Sequence, residues 1–244
     1  MTYAWKRFKR RYVKPFKRRF APWRNVAYGG IRVHYKKHLD GGGTYFGQDF
    51  IPFFKTRGLP KQGRAFEWCA GPGFIGFSLM AHGFCETLCL ADINPEAVEA
   101  CRRTVADNAL EKRVSVYHSD NLKDLPASEQ WDLVVANPPH FDDSYFAEEL
   151  RAHDPHWRIH REFLAQVGAH LKPSGVIVLQ ENNHGSTAET FREMIGQSGL
   201  QIVFVDGCAP EPTPDHRFYY IGIMRQGATP PDWARPQVSA LQPG

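Results

Sequence analysis

Short apolar runs alternate with segments of helical periodicity from residue 64 to residue 224, and that alternation limits the fold more than any other feature of the chain. The runs 64–69, 87–92, 114–118 and 131–136 read as buried strands. Between them, 73–81 reads as a helix closed by Gly83, and 95–109 as a helix with Pro95 at its first position and Asn94 as its cap. Farther on, 158–171 is helical and is stopped by Lys172-Pro-Ser-Gly175, 176–179 is a fifth strand, and 187–198 is a helix ended by Gly199. The runs 201–205 and 217–224 supply two more strands. Strands joined through helices pair in parallel, because the chain must cross over the sheet to return. The last two strands are joined by the Pro-rich loop 208–215, which predicts an antiparallel hairpin at the edge. The expected fold class is α/β: a doubly wound, mainly parallel sheet of seven strands with an antiparallel edge hairpin.

The alternating core occupies residues 40–226, and it opens on a Gly-rich loop from Asp40 that leads into an apolar segment ending at Phe54. Residues 1–39 form a basic aromatic arm with thirteen Lys or Arg and no acid, whereas the rest of the chain carries 17 bases against 26 acids. The net charge of +4 therefore hides a basic arm on an acidic body. Trp5, Phe8, Tyr12, Phe16, Phe20 and Trp23 fall three or four residues apart and share one helical face, with Pro15 dividing the stretch into two short helices. Such a stripe either packs on the core or joins the basic residues in binding an anionic surface. RNA or a ribosomal particle is one partner of that kind, and a membrane surface is another. Residues 227–244 are rich in Pro and are expected to be disordered. No run approaches the roughly 20 apolar residues of a membrane span. The five cysteines are odd in number and form no CxxC pair, which argues against a disulfide framework or a structural zinc and for a reducing, cytoplasmic setting.

The first strand runs into Phe66-Glu-Trp-Cys-Ala-Gly-Pro-Gly-Phe-Ile-Gly76. A glycine turn between strand and helix lets backbone approach a ligand closely, as in Rossmann-like folds. Glu67 sits inside the turn motif, where a ligand amine can be met. The second strand ends at Asp92, 21 residues after Gly71. A carboxylate at that strand end suits a ribose diol, at about the offset of 20 residues expected for one. These residues indicate a nucleoside cofactor and leave NAD open. The fourth strand ends in Val134-Val-Ala-Asn-Pro-Pro-His-Phe141, which places Asn-Pro-Pro at the ligand edge of the sheet.

With that motif the sequence resembles the class I S-adenosylmethionine-dependent methyltransferases. Within them it is similar to the Asn-Pro-Pro-aromatic group: release-factor glutamine methyltransferases, ribosomal RNA methyltransferases and adenine-N6 DNA methyltransferases. The resemblance covers roughly residues 66–224. It implies that Glu67 and the turn at Cys69, Gly71 and Gly73 hold the methionine part of S-adenosylmethionine. It implies further that Asp92 binds the ribose hydroxyls, Ile93 packs on the adenine, and Asp120 with Asn121 meets the adenine amino group. Cys69 stands where the family usually has its first glycine, and His140 replaces the usual Tyr, Phe or Trp.

The acceptor chemistry falls on Asn137, Pro138, Pro139 and His140. A nitrogen attached to a carbonyl or an aromatic ring is a poor nucleophile because its lone pair is delocalised. The Asn137 side-chain carbonyl and the Pro138 backbone carbonyl can accept its two N–H bonds and turn the lone pair toward the methyl group. His140 can stack on a planar acceptor or act as a base. His156 and His160, one helical turn apart, lack a third metal ligand, so the segment 153–160 suits a substrate lid with Trp157 or Arg158 as contacts, and no metal is expected. Glu181-Asn-Asn-His184, at the ligand edge, can line the acceptor pocket, and Phe46, Gln48 and Asp49 can cover the cofactor. The expected activity is N-methyl transfer to RNA or a ribosomal component. The alternatives are a membrane-associated or small-molecule methyltransferase, including one acting on lipid or glycan precursors, a NAD oxidoreductase, and a non-catalytic scaffold.

Overall fold

The computed structural model describes residues 21–142, 151–207 and 218–236. Its centre is a seven-stranded sheet made of β3 (Gln62–Trp68), β4 (Cys85–Asp92), β5 (Val114–His118), β6 (Trp131–Ala136), β7 (Leu171–Asn182), β8 (Leu200–Gly207) and β9 (Phe218–Arg225). The spatial order is β5-β4-β3-β6-β7-β9-β8. The pairs from β5 to β7 are parallel, and β9 runs antiparallel to both β7 and β8. The strand order reverses between β3 and β6, which opens a crevice at their carboxyl ends.

The apolar residues of each strand alternate between two cores. On β6, Leu133 and Val135 join one layer with Phe50, Phe54, Phe74, Phe77 and Cys101, while Val134 and Ala136 join the other with Phe163, Leu164 and Phe191. The first layer comes from α2 (Gly43–Arg57), α3 (Phe74–Ala81) and α4 (Pro95–Asp107), and the second from α5 (Arg158–Val167) and α6 (Ala188–Gln197). The caps follow the sequence: Asn94 Oδ1 accepts from Glu96 N at 3.0 Å, and Thr187 with Thr190 forms a reciprocal cap on α6.

Four stretches differ from the sequence expectation. Residues 40–54 are not a Gly-rich loop: α1 (Lys37–Asp40) is followed at once by α2. Its glycines serve close packing, since a Cβ on Gly47 would lie 2.7 Å from the Phe74 carbonyl of α3. The segment Lys172-Pro-Ser-Gly175 does not stop a helix; it lies inside β7, and a Cβ on Gly175 would meet the Trp131 carbonyl at 2.8 Å. Trp23 is not helical but opens β1 (Trp23–Tyr28), which forms an antiparallel hairpin with β2 (Ile31–Lys36). Asn108 exchanges hydrogen bonds with the Arg32 backbone, and His34 N donates to Thr104 Oγ1, so residues 23–36 belong to the folded body. The rest of the aromatic stripe, Trp5 to Phe20, lies outside the described residues. The tail is docked as far as residue 236: Trp233 is buried against Phe54, and Arg57 Nη1 donates to the Trp233 and Arg235 carbonyls. Residues 237–244 lie outside the described residues.

Candidate active site

The pairings Trp68–Ala91, Trp68–Ala136 and Ala136–Leu179 set one row across β4, β3, β6 and β7. One step beyond that row, at the carboxyl edge, stand Asp92, Cys69, Asn137 and Gln180. Parallel pairing thus brings together residues that are scattered in sequence.

The glycine turn is built around positive φ. Cys69, Gly71 and Gly73 have φ of 53°, 53° and 80°. At Cys69 a side chain occupies a backbone region that favours glycine, which explains why glycine is usual there. Cys69 is half-buried, and desolvation of its thiol pushes the pKa well above the ordinary range. A Cβ on Gly73 would press on Phe77 at 2.7 Å, whereas one on Gly71 would meet nothing within 4 Å. Gly73 is therefore needed for packing, and Gly71 faces open space.

Glu67 turns beneath this loop. Its carboxylate accepts from Gly76 N at 2.7 Å and Ile75 N at 3.3 Å, at the positive end of α3. Burial pushes its pKa up to about 8, although the two N–H bonds oppose the rise. Asp92 accepts from Gly71 N at 2.7 Å and from Asn94 N at 2.7 Å, so it ties the turn to the end of β4. Burial raises its pKa against those same bonds. A carboxylate has about four lone-pair sites, so two remain for a diol. Next to it, Ile93 is 61% exposed, an apolar side chain left without a cover.

Asp120 follows β5 and pairs with Lys123 at 2.6 Å. The Asn121 side chain is committed elsewhere: Oδ1 accepts from Trp68 Nε1 at 2.9 Å, and Nδ2 donates to Glu162 at 3.2 Å. Its backbone takes the left-handed conformation, at φ 55°.

On the acceptor side Pro138, Pro139 and His140 are buried and Asn137 is half-buried. No side-chain hydrogen bond holds Asn137 among the described residues. Phe141 N donates to the Ala152 carbonyl at 2.9 Å and Asp154 N to the Phe141 carbonyl at 2.8 Å, which pins the loop from behind. The turn after β7 closes on the same loop, because a Cβ on Gly185 would overlap the His140 carbonyl and the Phe141 ring.

His156 and His160 do not converge. The His156 side chain is 94% exposed, and His160 is fully buried between Asp154 and Glu181. Trp157 turns inward against Phe191, and Arg158 pairs with Glu162 at 2.8 Å. Glu181 is no loop residue but the buried penultimate position of β7, with His140 Nδ1 at 3.1 Å and His160 Nε2 at 3.0 Å. On the other face of β7, Asp49 of α2 hydrogen-bonds to Gln180, and burial lifts its pKa to about 6 against that bond. Gln48 is exposed, and the Phe46 side chain lies outside the described positions. Pairwise spacing gave no sign of the His140–Glu181–His160 contacts, since they join three separate elements.

The family model of the methyltransferase small domain matches residues 33–202, more than half of the chain. The chain belongs to that family. This methyltransferase small domain protein is 29% identical over 168 residues to the ribosomal RNA small subunit methyltransferase C of Shewanella denitrificans, covering 68% of this chain and 42% of that one. It is 24% identical over 140 residues to the ribosomal protein uL3 glutamine methyltransferase of Neisseria gonorrhoeae, covering 51% and 45%. The chain thus spans less than half the length of either relative. A T. thermophilus 16S rRNA methyltransferase in complex with AdoMet and guanosine shares the fold, with a TM-score of 0.55 at 16% identity over 84% of this chain and 50% of that one. The matched residues thus form a domain of a methyltransferase family. The open face of Gly71, the spare lone pairs of Asp92 and the uncovered Ile93 lie together at its carboxyl edge, free to meet a ligand.

Proposed function

We propose that this protein transfers the methyl group of S-adenosylmethionine to a planar amino or amide nitrogen in RNA or a ribosomal component. The observation that carries the reading is the placement of Asn137, one strand away from the glycine turn, with its amide uncommitted and its loop held by two buried prolines. A sulfonium methyl is already activated, so the protein's main contribution is to align the nucleophile with it. Asn137 Oδ1 and the Pro138 carbonyl accept the two N–H bonds of the acceptor and leave its lone pair directed at the methyl carbon. Glu67, Cys69, Gly71 and Gly73 hold the methionine end of the donor, Asp92 the ribose, and Ile93, Asp120 and the Asn121 backbone the adenine.

Two observations support the acceptor class. The relatives named above act, by name, on ribosomal RNA and on a ribosomal protein glutamine. Residues 1–20, ahead of the β1–β2 hairpin, carry nine basic residues and no acid, a composition suited to phosphate contacts. The test is to incubate the full chain with methyl-labelled S-adenosylmethionine, ribosomal particles and total cell extract, and to separate RNA, protein, lipid and small molecules. Label on nitrogen in RNA or ribosomal protein supports the reading; label confined to lipid or small molecules overturns the acceptor class. Asn137→Ala should lower transfer about a hundredfold through lost orientation while donor binding is kept. Asn137→Asp, which keeps the acceptor oxygen, should retain more activity.

A further inference from the structure

A line of four titratable side chains runs inward from the Asn-Pro-Pro loop, and alignment of the methyl group does not require it. Asp154 Oδ2 lies 2.7 Å from His160 Nδ1, His160 Nε2 lies 3.0 Å from Glu181 Oε1, and Glu181 Oε2 lies 3.1 Å from His140 Nδ1. Asp154, His160 and Glu181 are fully buried, and the His140 side chain is 11% exposed. Asp154 is fixed by Ile159 N at 2.8 Å and His160 N at 3.1 Å.

The protonation pattern follows from the partners. Each nitrogen of His160 faces a carboxylate oxygen, and only an imidazolium can donate to both. Burial alone would lower the pKa of His160, but the charge of Glu181 and the bonds to both carboxylates outweigh it and lift the value to about 9. Glu181 is correspondingly an ionised acceptor: its burial is overcome by His160 and His140, and its pKa is lowered. The Glu181 oxygen facing His140 therefore requires a hydrogen on His140 Nδ1. That leaves the lone pair on Nε2, across the ring from Glu181 and without a hydrogen-bond partner among the described residues. Tyr219 of β9 and the Cys69 thiol also face this group of charges, and burial raises the pKa of both, so both stay neutral. With His140 neutral, the line carries two buried negative charges and one positive. A proton on His140 brings it to neutrality.

Resting on the proposed N-methyl transfer, we infer that His140 accepts the proton released by the acceptor nitrogen, and that Glu181, His160 and Asp154 are positioning residues that hold His140 with Nε2 free. The nitrogen lone pair forms the new N–C bond, and the S–C bond breaks with its electron pair left on sulfur. The N–H that faced the Pro138 carbonyl then turns from it and gives its proton to His140 Nε2, which passes it afterwards to water.

The test uses the full chain labelled with 15N-histidine. Imidazole spectra are recorded from pH 5 to pH 10 and assigned with His140→Gln; no acceptor is needed. In the wild type, neutral His140 should carry its hydrogen on Nδ1, and His160 should remain doubly protonated up to about pH 9. A carboxylate can only accept from that Nδ1–H, whereas the amide of Glu181→Gln can donate or accept, so in this variant neutral His140 should show both tautomers. Asp154→Asn leaves the Glu181 carboxylate in place, so its His140 should keep the Nδ1 hydrogen, and it serves if Glu181→Gln does not fold. A wild-type His140 protonated on Nε2 when neutral, a tautomer unchanged in folded Glu181→Gln, or loss of the Nδ1 hydrogen in Asp154→Asn overturns the inference. With labelled S-adenosylmethionine and ribosomal particles, Glu181→Gln should transfer methyl more slowly with donor affinity kept, and undiminished transfer counts against His140 as the base. Absence of label in the wild-type reaction would count against the ribosomal acceptor alone, because the imidazole spectra stand without one.

Discussion

Replacing His160 by phenylalanine isolates the electrostatic part of the buried line. The ring stacks on Phe191 with centroids 4.7 Å apart and meets Trp68 and Trp157 edge-on at 5.4 and 5.5 Å. Phenylalanine keeps those ring contacts and removes the cation. Asp154 and Glu181 are then left as buried carboxylates without their shared partner. Removing one member of a buried ion pair costs about 3–5 kcal/mol. For a domain of this size each kcal/mol lowers the melting temperature by about 2–4 °C, so the expected drop is roughly 6–20 °C. The pH dependence has a definite sign. The folded pKa of His160, about 9, lies above its ordinary 6.5, so the stabilisation is complete below pH 6.5 and is lost as pH rises through 9. Glu181 is depressed below its ordinary 4.5, so its share is present above that value and disappears only as pH falls through its lower folded pKa. Denaturant melts of wild type and His160→Phe at pH 7 and pH 10 check both points. The gap between the proteins should be several kcal/mol at pH 7 and should narrow at pH 10. A loss under about 1 kcal/mol at pH 7, or a gap that does not narrow, would refute the assignment of His160 as a buried cation.

Asp92→Ala should weaken S-adenosylmethionine binding about ten- to hundredfold; because the same carboxylate holds Gly71 N and Asn94 N, it should also lower the melting temperature, and calorimetry showing unchanged affinity would remove Asp92 from the ribose site. Glu67 has a folded pKa of about 8 against an ordinary 4.5, so it favours the folded state at low pH and that benefit fades as pH rises from about 4.5 to 8. Stability of Glu67→Gln relative to wild type should therefore improve across that range, and a constant difference would contradict the buried, raised carboxyl. Gly185→Ala should disturb the His140–Phe141 loop, lowering methyl transfer while donor affinity is kept; equal turnover would mean that the loop yields freely. Deletion of residues 1–20, which stops short of β1, should reduce binding to mixed RNA and its salt dependence, with donor affinity unchanged, as read by titration at two salt concentrations.

Much of this protein was legible in the chain because the signals were local. Strand and helix periods, the Asn94 cap, and the turn and Asn-Pro-Pro motifs each lie within one stretch of sequence, and parallel crossovers force the ends of such strands to one edge of the sheet. Glycine was the weaker guide. At Gly43 and Gly47 it marked helix packing against Phe74 instead of a loop, and at Gly175 it marked an approach of strand to strand. Both uses depend on a neighbour that the local sequence does not name. Spacing likewise suggested His156 with His160, but the turn into α5 leaves one in solvent and buries the other. Asp154, His160, Glu181 and His140 come from the approach to α5, from α5 itself, from β7 and from the loop after β6. Only the packing of α5 on the sheet brings them within hydrogen-bond reach, and only the exclusion of water there makes their charges act on one another strongly. The sequence by itself determined the fold class and the motifs at the donor edge; tertiary structure decided which polar side chains were desolvated together, because burial and distance across elements set their protonation.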